Sequence, residues 1–264
     1  MLLRHKELTE MILGCVFEVH NDIGVGLDEA TYHQHLLDCF LRKGVPVISK
    51  ERKHLVHRGV KVRKFELDLL VFEKIILALK SLQCGFLQNH YVQIISELKL
   101  WKKDLGLLVN FGQPKAQIER IPFDEKEKKI IEDYAEIKGK IDESTRQLLA
   151  KVREAILFVF ETHGLGYGMT VCRELLQAEL DYHKVIYQKH PSIEVKYQDK
   201  LVRNCTTKAI SIADQMLCGV TAIQNQITLF DVARMRTYLR HSNRPIGLLI
   251  NFGKSKLEIK ALYH

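Results

Sequence analysis

Two seven-residue segments lie 141 positions apart and are almost the same: Gly106-Leu-Leu-Val-Asn-Phe-Gly112 and Gly247-Leu-Leu-Ile-Asn-Phe-Gly253. Upstream, Val16-Phe-Glu-Val-His20 matches Val159-Phe-Glu-Thr-His163, and Gly24-Val-Gly26 matches Gly164-Leu-Gly166. The matches keep their order at offsets of 140 to 143 residues, which predicts a tandem duplication rather than one large domain. The copies are expected at 1–122 and 144–264, joined by a charged segment at 123–143. In that segment Ile130, Tyr134, Ile137 and Ile141 recur at three-to-four spacing, predicting an amphipathic helix. Ser144 and Gln147 are spaced as a capping box for the helix that follows.

Composition narrows the class. The 264 residues are 46% hydrophobic with 5 prolines, so a disordered or collagen-like chain is excluded. No run approaches the roughly 18–20 apolar residues of a membrane span, and MLLRHKELTE lacks the apolar core of a secretory leader. A cytoplasmic protein without membrane contact is the expectation. The six cysteines are scattered without zinc or disulfide spacing and are expected as buried free thiols.

Each copy reads as the same sequence of elements. A helix over about Leu8–His20 is followed by a glycine turn and a second helix through Tyr32, Leu36, Leu37 and Phe40. Extended segments follow at Lys53–His57 and Val60–Phe65 around the turn Arg58-Gly59, then at Leu67–Phe72 and Ile75–Leu82. A helix near Asn89–Leu100 and a buried strand at Leu105–Phe111 complete it. This is an α/β (α+β) unit with a mixed central sheet flanked by helices.

The first copy carries a chemical pattern. Glu29 opens a helix after the glycine turn, Asp68 sits in the alternating segment Phe65-Glu-Leu-Asp-Leu-Leu-Val71, and Lys80 ends the next strand. Alternation puts Glu66 and Asp68 on one face. Carboxylates and an ammonium meeting at a sheet end suit Mg²⁺- or Mn²⁺-dependent phosphodiester hydrolysis. Hard oxygen ligands hold such a cation, which acidifies water and neutralises developing phosphate charge. A plain Asp68–Lys80 ion pair without metal is the competing reading.

Gly26-x-x-Glu29-x-x-Tyr32, the Asp68 and Lys80 strands, His90-x-x-Gln93 and the Gly-Leu-Leu-Val-Asn-Phe-Gly strand together resemble the GxxExxY family of PD-(D/E)xK nuclease-like proteins. The resemblance implies Glu29 beside the metal, Asp68 as a direct ligand, Lys80 as the lysine of the E-x-K element, and Gln93 facing the site. One departure stands out: Ala78 occupies the position two before Lys80 where that family has glutamate. Glu66 and Glu97 are the candidates for a displaced acid. In the second copy, offsets of 140 to 141 put Met169, Cys172, Lys208, Cys218, Val220 and Arg234 at the positions of Glu29, Tyr32, Asp68, Ala78, Lys80 and Gln93. No metal-binding acid survives there, so a pseudonuclease is expected.

The net charge of +8 is uneven: the second copy carries about +7, the first +4 and the joining segment −3. Arg52, Lys53, Arg58, Lys61, Arg63 and Lys64 on the hairpin, with Arg236 and Arg240 in the second copy, are the candidates for phosphate contacts. The expected partner is nucleic acid, DNA in the first instance, bound by a monomer whose two copies stand in for a dimer. A non-catalytic protein-interaction scaffold is the alternative from another class.

Overall fold

A computed structural model describes residues 4–125, 127–198 and 200–264. The chain forms two compact units. The first holds the residues up to Leu55 together with Arg63–Asp124; the second holds Val56–Val62 and Glu125–His264.

In the first unit, α1 (Lys6–Ile23) and α2 (Glu29–Arg42) precede β1 (Val47–Ser49). The hairpin strands β2 (Arg52–His57) and β3 (Val60–Glu66), of which Val56–Val62 belong to the second unit, follow, then β4 (Leu69–Val71), β5 (Ile75–Lys80), α3 (Gln88–Trp101), β6 (Leu105–Asn110) and β7 (Gln117–Pro122). Five strands make a mixed sheet in the order β1-β4-β5-β6-β7, with β5 and β6 parallel and the other neighbours antiparallel. The hairpin turns at Arg58 (φ 49) and Gly59 (φ 78), two left-handed residues as a type I′ turn requires.

Strand alternation divides β5 between two cores. Ile75, Leu77 and Leu79 pack with Ile12, Val16 and Phe40 from α1 and α2. Ile76 and Ala78 point the other way and pack with Ile94, Leu98 and Trp101 of α3. α3 comes very close to β6: a Cβ at Gly106 would lie 2.6 Å from Ile94 Cδ1, so any larger residue there would force the Ile94 side chain to move.

The second unit repeats the plan with α4 (Glu143–His163), α5 (Met169–Tyr182), β9 (Tyr187–Lys189), β10 (Ser192–Tyr197), β11 (Lys200–Thr206), β12 (Ile210–Ile212), β13 (Met216–Ala222), α6 (Leu229–Arg240), β14 (Ile246–Phe252) and β15 (Leu257–Tyr263). Its sheet runs β8-β15-β14-β13-β12-β9, where β8 is Ile130–Asp133.

That edge strand corrects the expected helix in 123–143. Ile130–Asp133 pairs in parallel with Leu257–Lys260, and a single 3-10 turn at Ala135–Ile137 follows. Pairing with the open side of β15 satisfies a row of backbone groups, and this tertiary gain outweighs the helical periodicity. The capping box also moves: Asp142, not Ser144, caps α4, its carboxylate accepting from the Thr145 amide at 2.8 Å. Asp68 does not lie within a strand as the alternating run suggested; it occupies the break between β3 and β4. The cysteines are all free, with Cys15, Cys39, Cys172 and Cys218 buried, but Cys84 is exposed and Cys205 half-buried.

Strand register corrects the correspondence between copies by one residue. Leu69 faces Leu77 and Lys80 faces Asn110 in the first unit, whereas Ile210 faces Cys218 and Thr221 faces Asn251 in the second. Ala78 and Lys80 therefore correspond to Gly219 and Thr221, not to Cys218 and Val220. The Asp68 carbonyl accepts from the Lys50 amide, and the Ala209 carbonyl does the same for His190, so Ala209 rather than Lys208 holds the place of Asp68. One extra residue between Thr207 and Ile210 accounts for the shift.

Candidate active site

Asp68 is held by its own local structure. β4 starts at Leu69 opposite Leu77, so the Leu79 amide lies past the end of the ladder; Asp68 Oδ2 accepts from it at 2.9 Å. Oδ1 receives the ammonium of Lys50 at 2.8 Å. Lys50 stands in the left-handed region (φ 53) between β1 and β2, and its amide donates to the Asp68 carbonyl. Both oxygens of Asp68 are thus occupied from the chain itself. Burial alone would lower the Lys50 pKa, but Asp68 together with the Glu66 and Glu29 charges outweighs it and the net shift is upward.

Lys80 meets a different acid from the one the sequence suggested. Its ammonium lies 3.4 Å from Glu29 Oε2, on the first residue of α2, whose N-terminus is capped by Asp28 accepting from the Thr31 amide at 2.8 Å. Burial raises the Glu29 pKa and the Asp68 charge adds to that, while Lys80 and Lys50 oppose it. Tyr32, one turn on, is structural: its hydroxyl donates to the Gly24 carbonyl at 2.8 Å and its ring stacks on Phe111 at 4.7 Å. His33 of the same helix places a ring nitrogen 3.2 Å from the Asp68 carbonyl and 3.1 Å from Ser49 Oγ.

Helix α3 supplies the remaining groups. It covers the face onto which Ala78 points, and Gln93 and Glu97 lie one turn apart on it. The Gln93 amide donates to Glu97 Oε1 at 2.8 Å. Glu97 is 2% exposed, and its Oε2 has no hydrogen-bond partner among the described residues. Burial pushes its pKa up to about 7; the Gln93 contact opposes this, the Asp68 charge adds to it, and Lys80 and Lys50 oppose it. Asp68 therefore acts electrostatically on both Glu29 and Glu97. Glu66 is paired with Arg52 at 2.6 Å and exposed, and the Lys50 charge also acts on it.

Asp68 with Lys50 and Glu29 with Lys80 thus form two ion pairs, and Glu97, bonded to Gln93, feels the charges of Asp68, Lys80 and Lys50. Sequence reasoning named all of these except Lys50, which it did not single out for the site. The donor set suits a hard cation in kind, since it consists of carboxylate oxygens and one of them, Glu97 Oε2, is buried without a partner. Among the described residues, no three His, Cys, Asp or Glu side chains already stand together as a metal-binding group.

Several of the basic residues singled out in the sequence are engaged by other groups of the protein. Arg52 is held by Glu66, Lys53 by the Leu100 carbonyl at 2.9 Å, and Arg236 by Glu136 at 2.9 Å. Arg58, in the second unit, is committed to Glu179 through two hydrogen bonds of 2.9 and 3.1 Å, its guanidinium 3.6 Å from the Phe158 ring and 4.0 Å from that of Tyr182. Arg58 is thus ion-paired and stacked on two rings, although the residue stays exposed. Lys61, Lys64 and Arg240 are exposed, and Arg63 is half-buried.

Asn110 and Asn251 organise strand ends. Asn110 Oδ1 accepts from the Leu82 and Gly112 amides while its amide donates to the Leu82 and Cys84 carbonyls. Among the described residues, no helix is long and apolar enough to cross a membrane.

A family model, that of the PD-(D/E)XK nuclease superfamily, matches residues 6–121 and again 146–262. Neither a search of curated proteins nor a search of solved structures found a match.

Proposed function

Because the chain belongs to the PD-(D/E)XK nuclease superfamily, we propose that its first unit binds nucleic acid, DNA in the first instance, and keeps a weakened metal-dependent phosphodiesterase site. Glu97 stands in for the acid that Ala78 lacks. The observation that carries this reading is Glu97 itself: a buried carboxylate with one unpartnered oxygen, on the helix packed over Ala78 and under the influence of Asp68 and Lys80. A buried acid left without a partner is costly, and a cation would remove that cost.

Asp68 and Glu97 would hold Mg²⁺ or Mn²⁺, with Glu29 beside them. When bound, the cation would acidify a water and stabilise charge on the phosphate. Lys80, oriented by Glu29, offers an ammonium to the phosphate or to the attacking water. Gln93 fixes the Glu97 carboxylate through Oε1. Lys50 competes for Asp68, which is a physical reason for weak activity. The likeness to the GxxExxY family belongs to this proposal, as does a cytoplasmic monomer.

The second unit is proposed as non-catalytic. Met169, Ala209, Gly219 and Tyr238 stand at the positions of Glu29, Asp68, Ala78 and Glu97, so none of the three acids is kept at its own position. A second reading, an ionic cluster with no metal, is favoured by the full occupancy of Asp68 by Lys50 and the Leu79 amide.

Nicking of supercoiled DNA by the purified chain, with and without Mn²⁺, separates the two. Metal-dependent nicking that disappears in Asp68→Asn and in Glu97→Gln is expected. Nicking that persists in both variants would reject the site, and an absence of nicking would favour the ionic cluster.

A further inference from the structure

The second unit has a partly open pocket of about 60 Å³ lined by Met169, Arg173, Lys208, Asp231, Arg234 and Tyr238, among others. It occupies the place of the first unit's acidic site, because Met169, Arg234 and Tyr238 correspond to Glu29, Gln93 and Glu97. The change is more than a loss. Three acids have gone, and Arg173 stands where the first unit has His33.

Arg173 is only 8% exposed. Its Nε and Nη2 are both buried without a hydrogen-bond partner among the described residues. These two N–H groups form one edge of the guanidinium, the edge that Arg58 uses to grip Glu179 and Arg153 uses to grip Glu132. In Arg173 that fork has no carboxylate to receive it. Burial lowers its pKa, with Glu174 opposing, which is the mark of a cation kept from water. A buried arginine is costly unless something pairs with it.

The other charges do not supply the missing partner. Asp231, the acid lining the pocket, is taken by the Thr228 amide and hydroxyl and by Arg234 at 2.8 Å. That leaves the Arg173 fork, which feels the Glu174 charge but has no hydrogen-bond partner among the described residues, and the exposed Lys208 lining the same pocket. A planar two-donor fork beside a mobile ammonium is the arrangement that suits a tetrahedral oxyanion.

We propose that this pocket binds a phosphoryl group, with the Arg173 fork as its anchor and Lys208 as the second cation. In this reading the duplication turned one catalytic cavity into a phosphate-binding one. The inference stands whether or not the first unit binds a metal. The phosphoryl group can come from a nucleic-acid end or from a small phosphoester, and the two sources are separable.

The test uses the full chain in EDTA at low ionic strength, titrated with inorganic phosphate by calorimetry. Saturable binding is expected, weakened by about tenfold or more in Arg173→Met as a bidentate charge-assisted contact is removed, and less so in Lys208→Ala. If Arg173→Met fails to fold, Lys208→Ala still decides, since that side chain is exposed. Short duplexes with and without a 5′-phosphate then identify the source. An Arg173-dependent preference for the phosphorylated end points to nucleic acid; equal binding of the two points to a small phosphoester. No phosphate binding, or binding indifferent to both second-unit variants, overturns the proposal.

Discussion

Glu97→Gln should stabilise the first unit above neutrality and lose that advantage in acid. The carboxyl moves from its ordinary 4.5 to about 7 on folding because it is buried. Below about 4.5 both folded and unfolded chains carry it protonated, and it costs nothing. As pH rises toward 7 the unfolded chain ionises first, so stability falls. Once the folded group is also ionised, the accumulated loss is roughly 3 kcal/mol.

Glutamine keeps the shape and cannot ionise. The difference between variant and parent should therefore grow by that amount between about pH 5 and about pH 8 in EDTA. Comparing the two pH values cancels any fixed cost of placing an amide at Oε2. Trp101, the chain's single tryptophan, lies on the same helix and donates to Glu51 Oε2, so its fluorescence in urea reports on this unit. Adding Mg²⁺ above neutrality should raise the midpoint of the parent and leave Glu97→Gln unmoved, since only a ligand of the folded state stabilises it. A pH-independent difference would refute the burial argument, and equal stabilisation of both proteins by Mg²⁺ would refute Glu97 as a ligand.

Other consequences follow from single positions. Asn110→Ala removes three hydrogen bonds to the loop after β5 and one to the Gly112 amide after β6 and should cost at least about 2 kcal/mol in urea denaturation. Gly112→Ala would bring a Cβ within 2.6 Å of the Leu82 carbonyl oxygen, which is backbone and cannot swing aside; a loss of roughly 1–3 kcal/mol is expected, read as a lower Trp101 unfolding midpoint. In the second unit, burial would raise the Glu179 pKa, but Arg58 and His57 outweigh it and hold the carboxyl low. Its contribution is therefore present above the ordinary carboxylate pKa and lost as pH falls through the folded value. Glu179→Gln should destabilise by about 3 kcal/mol near neutrality and by progressively less in acid, followed by circular dichroism.

The duplication was legible because it rests on identities at a steady offset, and the repeated order of elements followed from turn signals and periodicity. β5 and β6 were legible as apolar runs bounded by polar ends. The break at Asp68 was not, because Phe65-Glu-Leu-Asp-Leu-Leu-Val alternates straight through it. The strand at Ile130–Asp133 was hidden for the opposite reason: its spacing is helical, and only the open side of β15 makes it extended. A single inserted residue before Ile210 displaced the sequence-based pairing of copies, and in a strand one residue exchanges faces.

Glu97 was visible as a residue one turn beyond Gln93. The Lys50–Asp68 pair was not, since it joins residues 18 apart through a left-handed backbone. Nothing in the pattern of α5 marks Arg173 as buried and unpartnered. That is a property of the cavity beneath it.

The central claim is that the first unit still gathers acids for a divalent cation although Ala78 has replaced one of them. Electron paramagnetic resonance of Mn²⁺ added to the purified chain measures this without requiring turnover. The account predicts bound Mn²⁺ that is lost in Asp68→Asn and in Glu97→Gln and kept in Arg173→Met. Free Mn²⁺ throughout, or binding untouched by the two first-unit variants, would contradict it.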